Sequence, residues 1–161
     1  METILFDLDG TLLDTLTDLS NAVNYALRSH NLPERSPQEI RQFLGNGIRN
    51  LVKAAVPPTL EEAAFEPVFA TFRQYYLEHC LDFTQPYPGI METLQALHER
   101  GTRMAIISNK LQPAVTELNN RFFRQYIDIA VGESETVRRK PNPDAVLCAL
   151  DALDSNKATA L

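Results

Sequence analysis

The sequence predicts an α/β fold, with a parallel sheet core that is interrupted after its first strand by an all-helical insert. Three short apolar runs, at residues 4–6, 103–107 and 127–131, have the length and composition of strands that are buried on both faces. The stretch between the first two runs carries apolar residues at helical spacing and is far longer than the crossover helix that parallel strands need. Beyond residue 103, strands and helices alternate, as they do in parallel α/β sheets.

Apolar spacing and capping signals indicate the first helices of the insert. The apolar residues of the first helix recur at helical spacing, at Leu16, Leu19, Val23 and Leu27. Ser36 and Glu39 form a capping box with a proline in the first helical turn, which predicts a second helix. This helix is expected to end at the glycine-rich turn of residues 45–47, where a third helix begins.

The longest predicted helix of the insert follows a second capping-box pattern at residues 59–62. Apolar and aromatic side chains line one of its faces, at Phe65, Val68, Phe69, Phe72 and Tyr76. Residues 84–89, which contain two prolines and a glycine, then return the chain to the sheet. We therefore assign residues 1–14 and 85–161 to the α/β core and residues 15–84 to the helical insert.

Composition and charge exclude several classes of protein. The 161 residues are 44% hydrophobic and carry a net charge of −6, whereas a nucleic-acid-binding protein normally has a basic face. No apolar run approaches the roughly 18 residues of a membrane span, and the N-terminus lacks the basic start of a signal peptide. Cys80 and Cys148 are too far apart for a disulfide framework or a zinc site. We expect a cytoplasmic protein without nucleic-acid or membrane partners.

Two carboxylates, Asp7 and Asp9, directly follow the first predicted strand. Residues at the carboxyl ends of parallel strands face the crevice in which open α/β sheets bind ligands, and two acids so close together can converge on one cation. Taken alone, however, the same residues also suit a solvated acidic turn. Ser108 and Lys140, each taken alone, likewise suit a strand-end turn and a solvated basic patch. Only their joint order favours a functional site.

That joint order resembles the phosphatase branch of the haloacid-dehalogenase-like superfamily, which has a Rossmann-like sheet. Residues 7–15 (DLDGTLLDT) resemble the first signature motif of the family, and residues 108–110 (SNK) are similar to the second. Lys140, with the PNPD string behind it, resembles the third motif, and the helical insert resembles the family's small cap. Within this cap, residues 43–47 (FLGNG) are similar to phosphoglycolate phosphatases and their close relatives.

The resemblance implies a role for each matching residue. Asp7 would be the nucleophile that forms an aspartyl-phosphate, and Asp9 would protonate the leaving alcohol and then activate water. Mg2+, which prefers oxygen ligands, would be held by Asp7 and by the backbone carbonyl of Asp9. The phosphate-binding residues would be Ser108, Asn109 and Lys140. The residues of the cap that contact substrate would be Gly45, Asn46 and Gly47.

One part of the family pattern has no match in the sequence. The fourth motif, an acidic pair that completes the metal site at the end of a further strand, would follow residues 158–161, which could begin that strand. We therefore expect a core that is incomplete at its C-terminal end, with an exposed sheet edge through which copies could self-associate. Residues 1–161 alone are accordingly expected to have weak activity or none.

The expected function is that of a Mg2+-dependent phosphatase that hydrolyses a small-molecule phosphate ester such as 2-phosphoglycolate. Two alternatives remain open at this point. A phosphosugar mutase of the same superfamily would also keep Asp9, although the glycines at positions 45 and 47 favour the hydrolase. A non-catalytic interaction or regulatory fragment would fit the absence of the fourth motif.

Overall fold

The computed structural model describes residues 3–161, so Met1 and Glu2, the start of the predicted core segment 1–14, lie outside the described residues. The chain divides into two compact units. The sheet unit consists of the chain up to Leu13 together with Pro86–Leu161, and the helical unit consists of Asp14–Gln85.

The elements follow one another in an order that separates the first strand of the sheet from the next by four helices. In chain order they are β1 (Thr3–Phe6), β2 (Leu13–Asp14), α1 (Leu16–Ser29), α2 (Pro37–Phe43), α3 (Ile48–Ala55), α4 (Glu62–His79), β3 (Gln85–Pro86), α5 (Ile90–Glu99), β4 (Arg103–Leu111), α6 (Gln112–Phe122), β5 (Ile129–Glu133), α7 (Asp144–Ala152) and a 3-10 turn (Lys157–Thr159).

The main sheet is parallel and has the strand order β1-β4-β5, which confirms the predicted α/β class. β4 lies between the other two strands, and its neighbouring residues Ala105 and Ile106, which point to opposite faces of the sheet, are both fully buried. On one face, Ala145 and Ala149 of α7 pack against Ala105 and Val131. The carboxyl ends of β1 and β4 therefore meet at one edge of the sheet.

The other side of β1 is also paired. The amide of Leu161 donates a hydrogen bond to the carbonyl of Thr3, and the amide of Leu5 donates to the carbonyl of Leu161, both at 2.9 Å. Ala160 and Thr3 form a parallel bridge. Residues 160 and 161 thus extend alongside β1, as the sequence suggested for the start of a further strand.

Two predicted sheet elements differ from the observed ones by more than one residue. β4 continues past residue 107 to Leu111, with a shift of register against β5 between Ile107 and Leu111. β5 begins at Ile129 rather than at 127, because Ile127 is buried in the turn that ends α6, where its amide donates to the carbonyl of Phe123. An apolar residue can be buried without belonging to a strand.

In the helical unit, α1 to α4 enclose a hydrophobic core. The predicted face of α4 supplies much of it, through the buried residues Phe65, Val68, Phe72 and Tyr76. The capping box of α2 is present, since the Ser36 hydroxyl accepts a bond from the Glu39 amide. The capping box expected at residues 59–62 was wrong. A turn in which the Leu60 amide donates to the Pro57 carbonyl occupies that stretch, and α4 begins only at Glu62.

Asp18 is a buried acid within α1. Its carboxylate accepts hydrogen bonds from the amides of Phe83 and Thr84 and, at 2.7 Å, from the Thr84 hydroxyl. The carboxylate therefore ties the end of the helical unit back to its first helix.

None of the helices within residues 3–161 combines the length and the apolar character that a membrane crossing requires.

Candidate active site

A tight loop after β1 presents the two predicted acids. Leu8 is fully buried, and its carbonyl accepts hydrogen bonds from the amides of Leu12 and Leu13, both at 3.0 Å. Gly10 closes the loop at a φ of +79°, a backbone conformation that glycine adopts without the strain of a Cβ. Because Leu8 points into the core, Asp7 and Asp9 on either side of it extend away from the core.

Each of the two acids faces its own lysine. The Nζ atom of Lys140 lies 2.6 Å from Oδ1 of Asp7, and the Nζ atom of Lys110 lies 2.9 Å from Oδ1 of Asp9. Two carboxyl groups and two ammonium groups thus meet at the carboxyl end of the sheet. The ammonium charges reduce the repulsion that the carboxyl groups would otherwise exert on an incoming anion.

The end of β4 connects the two lysines. The Lys140 ammonium also donates to the carbonyl of Ile107, at 3.1 Å. The side chain of Asn109 holds the Lys140 backbone at two points: its Oδ1 accepts from the Lys140 amide at 2.6 Å and its Nδ2 donates to the Lys140 carbonyl at 3.2 Å. Ser108 is buried, and its hydroxyl accepts a bond from the Lys110 amide.

A clamp on the segment before α7 further fixes Lys140. The Asp144 carboxylate accepts bonds from the amide and the guanidinium of Arg138. The guanidinium and the backbone amide of Arg138 hold the pKa of the Asp144 carboxyl below its usual value, so the carboxyl is charged at neutral pH. Both ends of the loop that carries Lys140 are therefore tied together.

The structure brings five of the predicted site residues together in the sheet unit, namely Asp7, Asp9, Ser108, Asn109 and Lys140. The other three predicted residues, Gly45, Asn46 and Gly47, lie in the helical unit between α2 and α3. There, Gly45 and Gly47 have φ values of 100° and 79°, and the Asn46 carbonyl accepts a bond from the Asn50 side chain. The role of each of these residues in binding or catalysis stays a prediction.

Sequence reasoning gave no role to three residues that shape the site. Lys110 belongs to the second motif string, and a lysine that continues a buried strand is the signal that could have singled it out. Gln112 bridges to β5, where its side chain bonds the Ala130 carbonyl and the Gly132 amide. Gly132 has no room for a side chain, because an added Cβ would lie 2.6 Å from the Lys110 carbonyl oxygen.

The donor set at this edge suits a hard cation. Within residues 3–161, no group of three or more histidine, cysteine, aspartate or glutamate side chains is placed to hold a metal ion by itself. The carboxylates of Asp7 and Asp9 are both partly exposed, and they are oxygen ligands. Mg2+ usually takes one or two protein carboxylates and completes its shell with water and phosphate oxygens. The residues present therefore fit Mg2+ in the company of a phosphate ester.

The sequence profile described as haloacid dehalogenase-like hydrolase matches residues 4–161. The chain belongs to this family. Its fold agrees as well: a solved structure from Lactobacillus delbrueckii subsp. bulgaricus superposes with a TM-score of 0.92 at 29% identity, over 99% of this chain and 77% of that one.

Curated relatives narrow the branch. A phosphoglycolate phosphatase of Aquifex aeolicus (strain VF5) is 35% identical over 166 residues, which cover all (100%) of this chain and 74% of the relative. Phosphoglycolate phosphatase 1 of Pseudomonas aeruginosa is 37% identical over 155 residues, which are 89% of this chain and 55% of the relative. The chain thus spans between about half and three quarters of the relatives it matches. The predicted superfamily, its phosphoglycolate phosphatase-like branch and the class of phosphoric monoester hydrolases are confirmed.

Proposed function

We propose that this chain hydrolyses a small organic phosphomonoester, such as 2-phosphoglycolate, in a Mg2+-dependent reaction that passes through an aspartyl-phosphate on Asp7. The observation that carries the proposal is the pair of adjacent acids, Asp7 and Asp9, each opposite a lysine at the carboxyl end of a parallel sheet. The names of the curated relatives support the substrate class.

In the first step, a carboxylate oxygen of Asp7 forms a bond to phosphorus, and the bond between phosphorus and the ester oxygen breaks. The departing oxygen takes a proton from the protonated carboxyl of Asp9, so the alcohol leaves neutral and Asp9 becomes a carboxylate. Lys140, whose ammonium donates a hydrogen bond to Asp7, offsets the negative charge that develops on the nucleophile and the phosphoryl oxygens.

In the second step, a water oxygen bonds to phosphorus and the bond to Asp7 breaks. Asp9 accepts the proton that the water loses, so inorganic phosphate leaves and both aspartates return to their starting states. The Ser108 hydroxyl and the Asn109 backbone would bind the phosphoryl oxygens, and residues 45–47 would contact the rest of the substrate. When bound by Asp7 and the Asp9 carbonyl, Mg2+ would supply positive charge to the phosphoryl oxygens.

The same proposal covers the setting of the reaction. The partner is a small-molecule phosphate ester, and a net charge of −6 speaks against nucleic acid. We also propose a cytoplasmic location, while self-association through the sheet edge stays a prediction of the sequence.

The experiment measures phosphate release by the purified chain from p-nitrophenyl phosphate and from 2-phosphoglycolate, with Mg2+ and with a chelator. We expect weak turnover that requires Mg2+, and a loss of at least about 1,000-fold in Asp7→Asn, because an amide cannot serve as the nucleophile. The matched control is Asp151→Asn, because Asp151 is an exposed aspartate on α7. We expect this variant to keep the activity of the unsubstituted chain. Equal turnover by Asp7→Asn and the unsubstituted chain would refute the assigned nucleophile.

Assays of the same kind distinguish the two alternatives, the phosphosugar mutase and the non-catalytic fragment. Incubation with a hexose 1-phosphate yields free phosphate if the chain is a hydrolase, whereas an isomeric sugar phosphate would identify a mutase. A complete lack of Mg2+-dependent turnover would favour the non-catalytic fragment instead.

A further inference from the structure

We propose that Lys110 is a positioning residue for Asp9. It holds the Asp9 carboxylate in the orientation that proton transfer to the leaving group requires. The inference rests on the proposed function, and it assigns to the site a residue that is neither a phosphate ligand nor a nucleophile in that proposal.

The burial of Lys110 sets it apart from the other lysine of the site. The Lys110 side chain is 4% exposed, whereas that of Lys140 is 28% exposed. A buried ammonium without a compensating charge is strongly destabilising, so a lysine in this place needs its partner. The burial of the Lys110 ammonium therefore favours conformations that keep its 2.9 Å hydrogen bond to Asp9.

The backbone that carries Lys110 is fixed on both sides. Its amide donates to the Ser108 hydroxyl at 3.2 Å. Its carbonyl oxygen lies so close to Gly132 that a Cβ added there would be only 2.6 Å away, which is too short for a side chain to fit. Gln112 then joins this end of β4 to β5 through bonds of 2.9 Å to the Ala130 carbonyl and 2.7 Å from the Gly132 amide. The backbone of Lys110 is thus held close to β5 at the end of β4.

The contact also determines which carboxylate oxygen of Asp9 can act. Lys110 donates a hydrogen bond to Oδ1 of Asp9 at 2.9 Å. With Oδ1 held, Oδ2 has a fixed direction in which it can exchange a proton with the ester oxygen. Small errors in such a geometry lower rates strongly, because proton transfer requires the two heavy atoms to be at hydrogen-bonding distance.

The test uses two substrates that differ in their need for an acid. Nitrophenolate is a stable anion and leaves with little help, whereas the alkoxide of 2-phosphoglycolate needs a proton as the ester bond breaks. The value of kcat/KM reports the steps up to that cleavage. We expect Lys110→Met to lower the ratio of kcat/KM for 2-phosphoglycolate to that for p-nitrophenyl phosphate by at least about 10-fold, out of the 10²–10⁴-fold that acid catalysis typically contributes.

Three further variants separate positioning from folding. Lys110→Arg, which keeps the charge, should recover part of the ratio, and Lys157→Met, an exposed lysine in the 3-10 turn, should leave it unchanged. In an Asp9→Asn background, Lys110→Met should change the ratio no further, since the residue acts through Asp9. If thermal unfolding shows that Lys110→Met is unfolded, Lys110→Gln takes its place in the same comparison.

The outcomes are distinct. If Lys110→Met leaves the ratio unchanged, either because neither value falls or because both fall by the same factor, the role of Lys110 is overturned while the proposed function stands. No turnover by the unsubstituted chain would overturn the proposed function, and the role of Lys110 with it.

Discussion

The sheet unit and the helical unit use charged side chains in different ways. At the sheet edge, Lys110 and Lys140 are held against Asp9 and Asp7 in partly buried pairs. In the helical unit, by contrast, the pairs that Arg49 and Lys53 form with glutamates of α4 lie on the surface, with side chains 41–60% exposed. Exposed ion pairs contribute little to stability, so the surface pairs add little to the fold.

The helical unit also has a buried acid, and its partners are of another kind. Asp18 is bonded by backbone amides and the Thr84 hydroxyl rather than by a cation. A buried carboxylate that accepts hydrogen bonds from backbone amides is fixed by them, and it holds the segment that carries those amides in place. A partly exposed carboxylate opposite a lysine, as at Asp7 and Asp9, belongs to a set of groups that an incoming phosphate can reach. Both the partner and the exposure thus distinguish Asp18 from the two candidate catalytic acids.

The largest effect on stability is expected at Asp18. Asp18→Ala leaves the buried amide of Thr84 without an acceptor and should lower the free energy of unfolding by about 3 kcal/mol. Urea denaturation measures this value. The matched control is Asp82→Ala, an exposed acid that pairs with His79 and should lose less than about 1 kcal/mol. Equal losses in the two variants would break the distinction between buried and surface acids.

A smaller effect is expected at Gly132. Gly132→Ala should lower the free energy of unfolding by about 2 kcal/mol, because the new Cβ meets the backbone of Lys110 and Gln112. Gly101→Ala is the control for space, since nothing lies within 4 Å of the position that its Cβ would take, although its φ of +71° adds some strain. The same denaturation experiment applies. A Gly132→Ala chain as stable as the unsubstituted one would show that the end of β4 is less rigid than the structure has it.

The smallest effect is expected at the surface pairs. Hydrogen bonding to Lys53, and then to Arg49, lowers the pKa of the Glu62 carboxyl from its ordinary value of 4.5. The stability that these bonds contribute is therefore fully present above pH 4.5 and is lost as the pH falls through the lowered pKa. Glu62→Gln should change the melting temperature at pH 7 less than either preceding variant does, and the difference should vanish in acid. A loss as large as that of Asp18→Ala would contradict this order.

Much of the sheet and its acids could be predicted because local sequence determines them. An apolar run that ends in an acid predicts both β1 and the place of Asp7 at its carboxyl end. The start of β5 and the start of α4 were misplaced, since Ile127 and residues 59–62 are used by turns that depend on neighbouring segments. Local patterns do not contain such contacts.

The partners of the acids lie still further from local sequence. Lys110 and Asp9 are separated by 101 positions, and nothing in either motif states which lysine faces which acid. The lack of space at Gly132 likewise depends on the path of β4 beside it. Such pairings follow only from the folded chain.

The central claim is that Asp7 forms a covalent bond to phosphorus, and chemical trapping tests it most directly. The chain is quenched with acid during turnover of p-nitrophenyl phosphate, treated with borohydride to reduce an acyl phosphate to the alcohol, and digested for mass spectrometry. We expect conversion of Asp7 to homoserine, with Asp9 unchanged. Turnover without any reduced Asp7, or reduction at another carboxylate, would contradict the claim.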